Sequence, residues 1–305
     1  PEVSFSDGFE VHSFQQRPNP NMVTMNSWVV SDCRTIAAMS KLGPRIGVGR
    51  TAEVFGLGDD RVVKLFYRDF PRTSVQTEAR AGELVAKVGL PAPDFHGLVE
   101  IEDRAGIVYE RLEGETMLDA MRRRPHELRR LSRQFAALHR QLHQWEIPEL
   151  RSYRGSLTDQ IQIAPGLADV EKERLVSRLL RLPQGRQMVC HGDFHPDNIM
   201  LTRRGWVVID WMTARCGEPA ADVARTLLLL TIGTPVKMNL WERIMTVMGR
   251  GLFCRRYQAQ YFRSCELTLQ QVQSWLPVMA AARLAEGIDD ETDHLLTLAR
   301  TAMES

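Results

Sequence analysis

Asp193, Asn198 and Asp210 carry the most pointed chemistry in this chain. They lie in residues 190–211, CHGDFHPDNIMLTRRGWVVIDW. Asp193 and Asn198 stand five positions apart on a stretch punctuated by Gly192 and Pro196, and Asp210 follows a short apolar run, residues 206–209. Carboxylate and amide oxygens are hard ligands of the kind Mg²⁺ accepts. A further carboxylate beside them can receive the proton of an attacking hydroxyl. Phosphoryl transfer from a nucleotide calls for that combination, because its loose, charge-rich transition state needs positioning and charge neutralisation rather than covalent chemistry. No Cys or His group has the spacing of a zinc site. Alone, H-G-D reads as a tight turn and I-D-W as a strand end; both together, at this spacing, favour phosphoryl transfer.

Such a site needs elements that hold a nucleotide, and residues 42–64, LGPRIGVGRTAEVFGLGDDRVVK, supply a candidate. Glycines at 47, 49, 56 and 58 interrupt strand-like runs. A glycine loop between strands lets backbone N–H groups close over phosphates without Cβ obstruction. No Gly-Lys-Ser/Thr follows, so this is not a Walker A loop. Residues 61–67 alternate as a strand, with Lys64 on the face of Val62 and Phe66. A lysine there needs a carboxylate or a phosphate. Glu78 opens a helical pattern through Ala79, Leu84, Val85 and Val88, before a Gly-Leu-Pro-Ala-Pro stop at 89–93. Glu78 is the expected partner of Lys64 and Glu83 the rival. The two lie about 140° apart on the helical wheel, so only one faces the cleft.

Protein kinases arrange this chemistry as H-R-D-x-x-x-x-N followed by D-F-G, under a G-x-G-x-x-G-x-V loop. Here Gly192 replaces the Arg, His195 stands where a loop lysine usually sits, Trp211 follows Asp210, and Ala52 takes the place of the third glycine. The chain resembles the aminoglycoside phosphotransferase family, the small-molecule branch of the kinase-like fold that includes choline and ethanolamine kinases. The resemblance rests on His191-Gly-Asp193-Phe-His195-Pro-Asp197-Asn198, Val208-Ile-Asp210-Trp211 and Gly217-Glu-Pro-Ala-Ala-Asp222-Val-Ala, with the glycine-rich lobe upstream. It covers roughly residues 42–232. It implies an α+β, two-lobed protein-kinase-like fold: an antiparallel sheet with one helix, then a mainly helical lobe. It further implies Asp193 as catalytic base or acceptor-orienting carboxylate, with Asn198 and Asp210 as Mg²⁺ ligands. Gly47, Gly49, Lys64 and Glu78 would serve the nucleotide phosphates, and backbone atoms of Glu110 and Leu112 would meet adenine, with Tyr109 behind. The implied cofactors are ATP, with GTP as an alternative, and Mg²⁺. The implied partner is a small hydroxyl-bearing acceptor, cationic if it is aminoglycoside-like or an amino-alcohol. His191 is expected to pack the loop, His195 has a charge-stabilising role open to it, and Asp222 is expected as an N-terminal helix acid bracing the catalytic loop.

Composition limits the alternatives. At 305 residues and 44% hydrophobic, the chain can build a two-lobed unit. A net charge of +1 gives no bulk drive towards nucleic acid or membrane. Cysteines at 33, 190, 216, 254 and 265 are odd in number and scattered, which suggests reduced thiols. The first residues lack a signal-peptide pattern, and residues 227–232, the densest apolar run, are too short to span a bilayer. The expected location is cytoplasmic.

The expected layout is an N-terminal extension at 1–41 packed on the first lobe, with a strand near Trp28. A nucleotide lobe of five strands and one helix follows at 42–110, then a hinge at 111–114 and a helical lobe at 115–305. A hairpin is expected at 96–112, turning at 103–106. Leu128, Leu131, Phe135, Leu138 and Leu142 mark a core helix, and His139 beside them reads as a satisfied core histidine. The arginines at 122–124, 129, 130 and 133 read as a solvated helix face, since no nucleic-acid motif accompanies them. Five carboxylates in residues 286–293 suit either a cationic acceptor or the first turn of a closing helix, with the helix favoured. Glu218 is a second acceptor candidate, and the aromatics from Trp241 to Trp275 read as core or as a sugar-binding wall. Three functional readings remain: a small-molecule O-kinase, a kinase of macromolecules, and a nucleotide-binding module without catalysis. Residues 211–220 are too short for a protein-kinase activation segment and no A-P-E follows, so the first is favoured.

Overall fold

Period-two alternation builds the first lobe. The computed structural model describes residues 42–232 and 240–301. The expectations for residues 1–41 lie outside them. Strands β1 (Arg45–Val48), β2 (Ala52–Leu57), β3 (Arg61–Phe66), β4 (Phe95–Ile101) and β5 (Arg104–Glu110) form one antiparallel sheet in the order β1-β2-β3-β5-β4. Helix α1 (Arg72–Lys87) packs against it. One side of the sheet buries Leu57, Val63, Val99 and Val108. The other buries Ala52, Phe66, Ala105 and Ile107 with Val75 and Ala79 of α1. Lys64 pairs between Val54 and Ile107 and shares the α1 side with Phe66, which aims it at the helix.

Two boundaries differ from the sequence reading. Helix α1 begins at Arg72, not Glu78, because Pro71 at the N-cap presets an extended entry (φ −59°, ψ 124°) and Val75 already buries its side chain. The β4–β5 turn sits at Glu102-Asp103, both with positive φ (49° and 64°), so β5 begins at Arg104 inside the segment expected to turn. That two-residue connection matches the right-handed twist of the flanking strands.

Helical periodicity builds the second lobe. Its helices are α2 (Met117–Arg123), α3 (Leu128–Leu142), α4 (Tyr153–Gln162), α5 (Asp169–Arg181), α6 (Pro219–Ile232), α7 (Leu240–Tyr261), α8 (Leu269–Gln273), α9 (Leu276–Leu284) and α10 (Thr292–Arg300). Two small sheets are inset: β6 (Gly114–Thr116), β8 (Ile199–Thr202) and β9 (Gly205–Val208) form one, and β7 (Met188–Cys190) pairs β10 (Arg215–Gly217). Helix α3 buries Leu131, Phe135, Leu138 and Leu142 of the expected stripe, with Leu128 half-buried at its start. Phe135 packs on Phe194, next to Asp193 (ring centroids 4.6 Å), and on Phe253 and Tyr257 of α7 (5.2 and 5.1 Å). The hydrophobic core therefore reaches directly under the chemical residues. The α2–α3 arginines are solvated and largely paired, as Arg124 is with Glu115 and Arg130 with Glu127. Among the described residues no helix is long and apolar enough to cross a membrane.

Candidate active site

The loop that carries Asp193 hangs from a buried carboxylate. Beyond β7 the chain turns at Gly192, whose φ of 76° puts an added Cβ 2.6 Å from the Thr213 carbonyl oxygen. Only glycine fits there, which explains why the arginine of the protein-kinase pattern is absent. Asp222, in the first turn of α6 and fully buried, accepts the N–H of His191 (2.7 Å) and of Gly192 (2.8 Å). Its Oδ2 also faces Nε2 of His139 on α3 (3.1 Å) and of His143 at the C-cap of that helix (3.2 Å). Their Nδ1 atoms meet the hydroxyls of Tyr257 (2.7 Å) and Tyr261 (2.6 Å). The network assigns the tautomer: each imidazole donates from Nε2 to Asp222 and accepts the phenol proton at Nδ1. Burial opposes the Asp222 charge, but the two histidines outweigh it and hold its carboxyl well below the usual range. His139, His143 and Asp222 are close enough to suggest a metal group. Asp222 already takes four donors across its two oxygens, so it is held without a cation.

This hub fixes a pH dependence of stability. Burial first, and the neighbouring His143 second, push His139 down to about 4 from 6.5. Between those values the unfolded chain binds a proton that the folded chain refuses, so stability falls as pH drops from 6.5 towards 4 and levels off below. The loss from this group amounts to about 3 kcal/mol. Thermal unfolding across that window should show it, and His139→Asn should flatten the slope by up to one proton. An unchanged slope in the variant would remove His139 as the cause.

Asp193 follows this anchored corner. Asn198 Nδ2 donates to its carbonyl oxygen (3.0 Å) and to Oδ2 (3.1 Å), and His195 Nε2 lies 3.3 Å from Oδ2. Arg225 Nη2 is 4.0 Å from Oδ1. Burial works against the Asp193 charge, yet His195, then Arg225 and His191, hold its pKa well below the ordinary value. The carboxylate is thus ionised at neutral pH, a hydrogen-bond acceptor that remains 29% exposed. His191 is buried as loop packing: Nδ1 accepts from the Asp193 N–H (3.3 Å), and Nε2 donates to the Ile209 carbonyl (3.1 Å).

Asp210 is set by the same stitches. Ile209 N–H donates to the Asn198 carbonyl (2.9 Å), and Trp211 Nε1 donates to the Val208 carbonyl (2.9 Å). Asp210 itself sits in the left-handed region (φ 63°, ψ 68°), a strained choice for a residue with a side chain. Its Oδ1 accepts from Lys64 Nζ at 2.9 Å, and Lys64 also meets Glu78 Oε1 at 2.8 Å. Burial opposes the Lys64 charge, but Asp210 and Glu78 raise its pKa. Two carboxylates face one ammonium, so the more buried of them gives way: burial pushes Glu78 up to about 7 despite Lys64. Asn198 Oδ1 and Asp210 Oδ2 have no hydrogen-bond partner among the described residues. Both are hard oxygen donors of the kind Mg²⁺ accepts.

Glu83 pairs with Arg80 and Lys87 on the outer face of α1. Gly47 lies within β1 opposite Val54, and Gly49 opens the β1–β2 turn with its N–H committed to the Ala52 carbonyl (2.8 Å), so Gly49 offers space rather than a donor. Glu110 gives its N–H to the Asp94 carbonyl (2.9 Å), which leaves its carbonyl, while Leu112 makes no backbone hydrogen bond among the described residues. The Tyr109 hydroxyl and Glu78 Oε2 are both buried and face each other, with no other hydrogen-bond partner among the described residues. Glu218 is buried against Arg154 (2.7 Å) with its Oε2 unpartnered among the described residues, and Glu291 is gripped by Arg283 (2.6 and 2.9 Å). Tyr257, Tyr261 and Trp275 are core residues. A cavity of about 410 Å³ lies behind the hub, lined by His143, Tyr261 and Trp275 among others, and includes none of Lys64, Asp193, Asn198 or Asp210. Sequence reasoning missed Arg225, although its place three residues after Asp222 on α6 puts it on the loop-facing side. His143, Tyr257 and Tyr261 were also missed as hub members, since nothing local marks their partners.

Comparisons with known proteins agree with this fold. A profile of the phosphotransferase enzyme family matches residues 43–267. A search of curated proteins found no match. Among solved structures, the chain is similar to the streptomycin–ATP–APH(2")-IIa ternary complex, with 18% identity over 87% of this chain and 91% of that one (TM-score 0.56). It is similar to the amicoumacin kinase hAmiN in complex with AMP-PNP, Ca²⁺ and Ami, with 14% identity over 88% and 91% (TM-score 0.58). It is also similar to a choline/ethanolamine kinase family protein from Mesorhizobium loti, with 19% identity over 89% and 95% (TM-score 0.56).

Proposed function

The chain belongs to the phosphotransferase enzyme family, and from that premise we propose that it moves the γ-phosphoryl group of ATP, or of GTP, to a hydroxyl of a small molecule. The observation that carries this reading is the joint placement of Lys64 on Glu78 and Asp210 with Asn198 bonded to Asp193. Lys64, held at a fixed point in the cleft, binds nucleotide phosphates. Asp193 accepts the hydrogen bond of the acceptor hydroxyl and aligns its oxygen for in-line attack, taking the proton as the new bond forms. Asn198 and Asp210 would hold Mg²⁺, which supplies neutralisation of the phosphate charge. The Glu110 carbonyl and the Leu112 backbone groups would bind adenine, and residues 111–114 act as the hinge between lobes.

The acceptor is small because residues 211–220 form only a short turn at Trp211–Thr213, strand β10 and the start of α6, which gives a peptide no platform. An amino-alcohol or aminoglycoside-like acceptor fits the family. Glu286 faces the cleft but is engaged by Arg225 and Arg283, so a cationic acceptor competes with two guanidinium groups for it. Coupled nucleotide turnover with Mg²⁺ and ATP or GTP, across aminoglycosides, choline, ethanolamine and neutral sugars, tests this. One acceptor class should stimulate turnover well above background, and Asp193→Ala should abolish the stimulation. Stimulation that survives in Asp193→Ala would refute the assignment.

A further inference from the structure

Arg50 lies at the tip of the glycine loop and reaches across to the second lobe. Its Nη2 donates to the backbone carbonyl of Glu286 (2.9 Å), and its Nη1 lies 4.0 Å from Glu286 Oε2. Glu286, just after α9, is itself held from two sides. Its Oε1 pairs with Arg225, and its Oε2 accepts from Arg283 Nη1 at 3.1 Å. Arg283 is immobilised in turn by its two bonds to Glu291. Arg225 then donates from Nε to the Gly192 carbonyl (3.1 Å) and keeps Nη2 4.0 Å from Asp193 Oδ1. A continuous polar chain therefore joins the loop expected over the phosphates to the carboxylate expected to receive the proton.

The placement of Glu286 has a particular effect on Arg225. That guanidinium is buried and charged, with Glu286 and Asp193 outweighing the cost of burial. Without Glu286 its nearest counter-charge is Asp193, and it would close the present 4.0 Å gap into a direct ion pair. Such a pair would occupy the oxygen that an acceptor hydroxyl needs. Glu286 holds Arg225 back, near enough to favour ionised Asp193 and too far to cover it.

We propose that Glu286 is a positioning residue that couples the glycine loop to Asp193, with Arg50 as the contact from the first lobe and Arg225 as the contact to the catalytic loop. This rests on the kinase reading above. Loop closure over nucleotide and alignment of the carboxylate are then one event, because both ends bear on the same side chain.

The test uses the full chain with Mg²⁺ and a fluorescent ATP analogue. Arg50 is 67% exposed, so Arg50→Ala leaves the fold intact. Stopped-flow displacement should show the analogue leaving Arg50→Ala about two- to fivefold faster than wild type, the scale of one exposed ionic contact. Arg50→Lys should recover part of the difference. Glu286→Ala should be at least as fast as Arg50→Ala, and the double variant no faster than Glu286→Ala alone. Hydrogen exchange in residues 191–195 gives the second readout: the analogue should slow it in the wild type and much less in Arg50→Ala. A merely structural arginine would move neither. Arg50→Ala matching wild type in both measurements overturns the proposal and leaves the kinase reading intact. A wild type that binds no analogue removes both.

Discussion

Asp193→Asn is expected to lower phosphoryl transfer by about 10²- to 10⁴-fold, the range for loss of a positioned proton acceptor. Nucleotide affinity should stay near wild type. The amide keeps the shape of the carboxylate, so Asn198, His195 and the hub-anchored loop need not move. It removes the charge that accepts the acceptor's hydrogen bond and that His195 and Arg225 share. The loss should therefore appear in kcat, with the nucleotide KM unchanged. Transfer at the wild-type rate would show that another group takes the proton.

Asp210→Gly should separate stability from activity. Its αL backbone costs about 1–3 kcal/mol in a residue with a side chain, and glycine relieves that strain. Lys64 keeps Glu78, which loses the repulsion of its neighbouring carboxylate and ionises more readily. The variant should melt no lower than the wild type, yet lose Mg²⁺-dependent nucleotide binding and transfer together. Calorimetric titration of nucleotide with and without Mg²⁺, beside thermal unfolding, reads both. Binding that still responds to Mg²⁺ would take Asp210 out of the metal site.

The strands were legible because each alternates over a short span, and the order of five strands and one helix follows from them. Lys64 and Glu78 could be paired from sequence because a strand face and a helix face are both periodic. The start of α1 was not legible, since the polar and β-branched residues 72–77 show no apolar period until Val75 and Ala79 meet the sheet. The tight turn at Glu102-Asp103 was hidden because Gly106, the more obvious turn residue, lies within β5, packed against Val63 and Val99. The acidic stretch at 286–293 illustrates the other limit. Its density reads as one feature, yet Glu286 and Glu291 point to arginines while Asp289, Asp290 and Asp293 stay exposed. Composition counts charges, and only the fold assigns each its partner.

The buried hub bears on whether this catalytic motif can be transplanted. Every residue proposed to touch nucleotide or magnesium lies between Gly47 and Asp210, so a designer could copy that span. The carboxylate that hangs the loop comes from α6, and the hydroxyls that orient its histidines come from α7, 118 positions beyond those histidines. A graft of residues 190–211 would carry the reactive groups without the anchor that fixes the backbone N–H groups of His191 and Gly192. The portable unit is the loop together with α3, α6 and α7, which makes the helical lobe part of the reagent rather than its container.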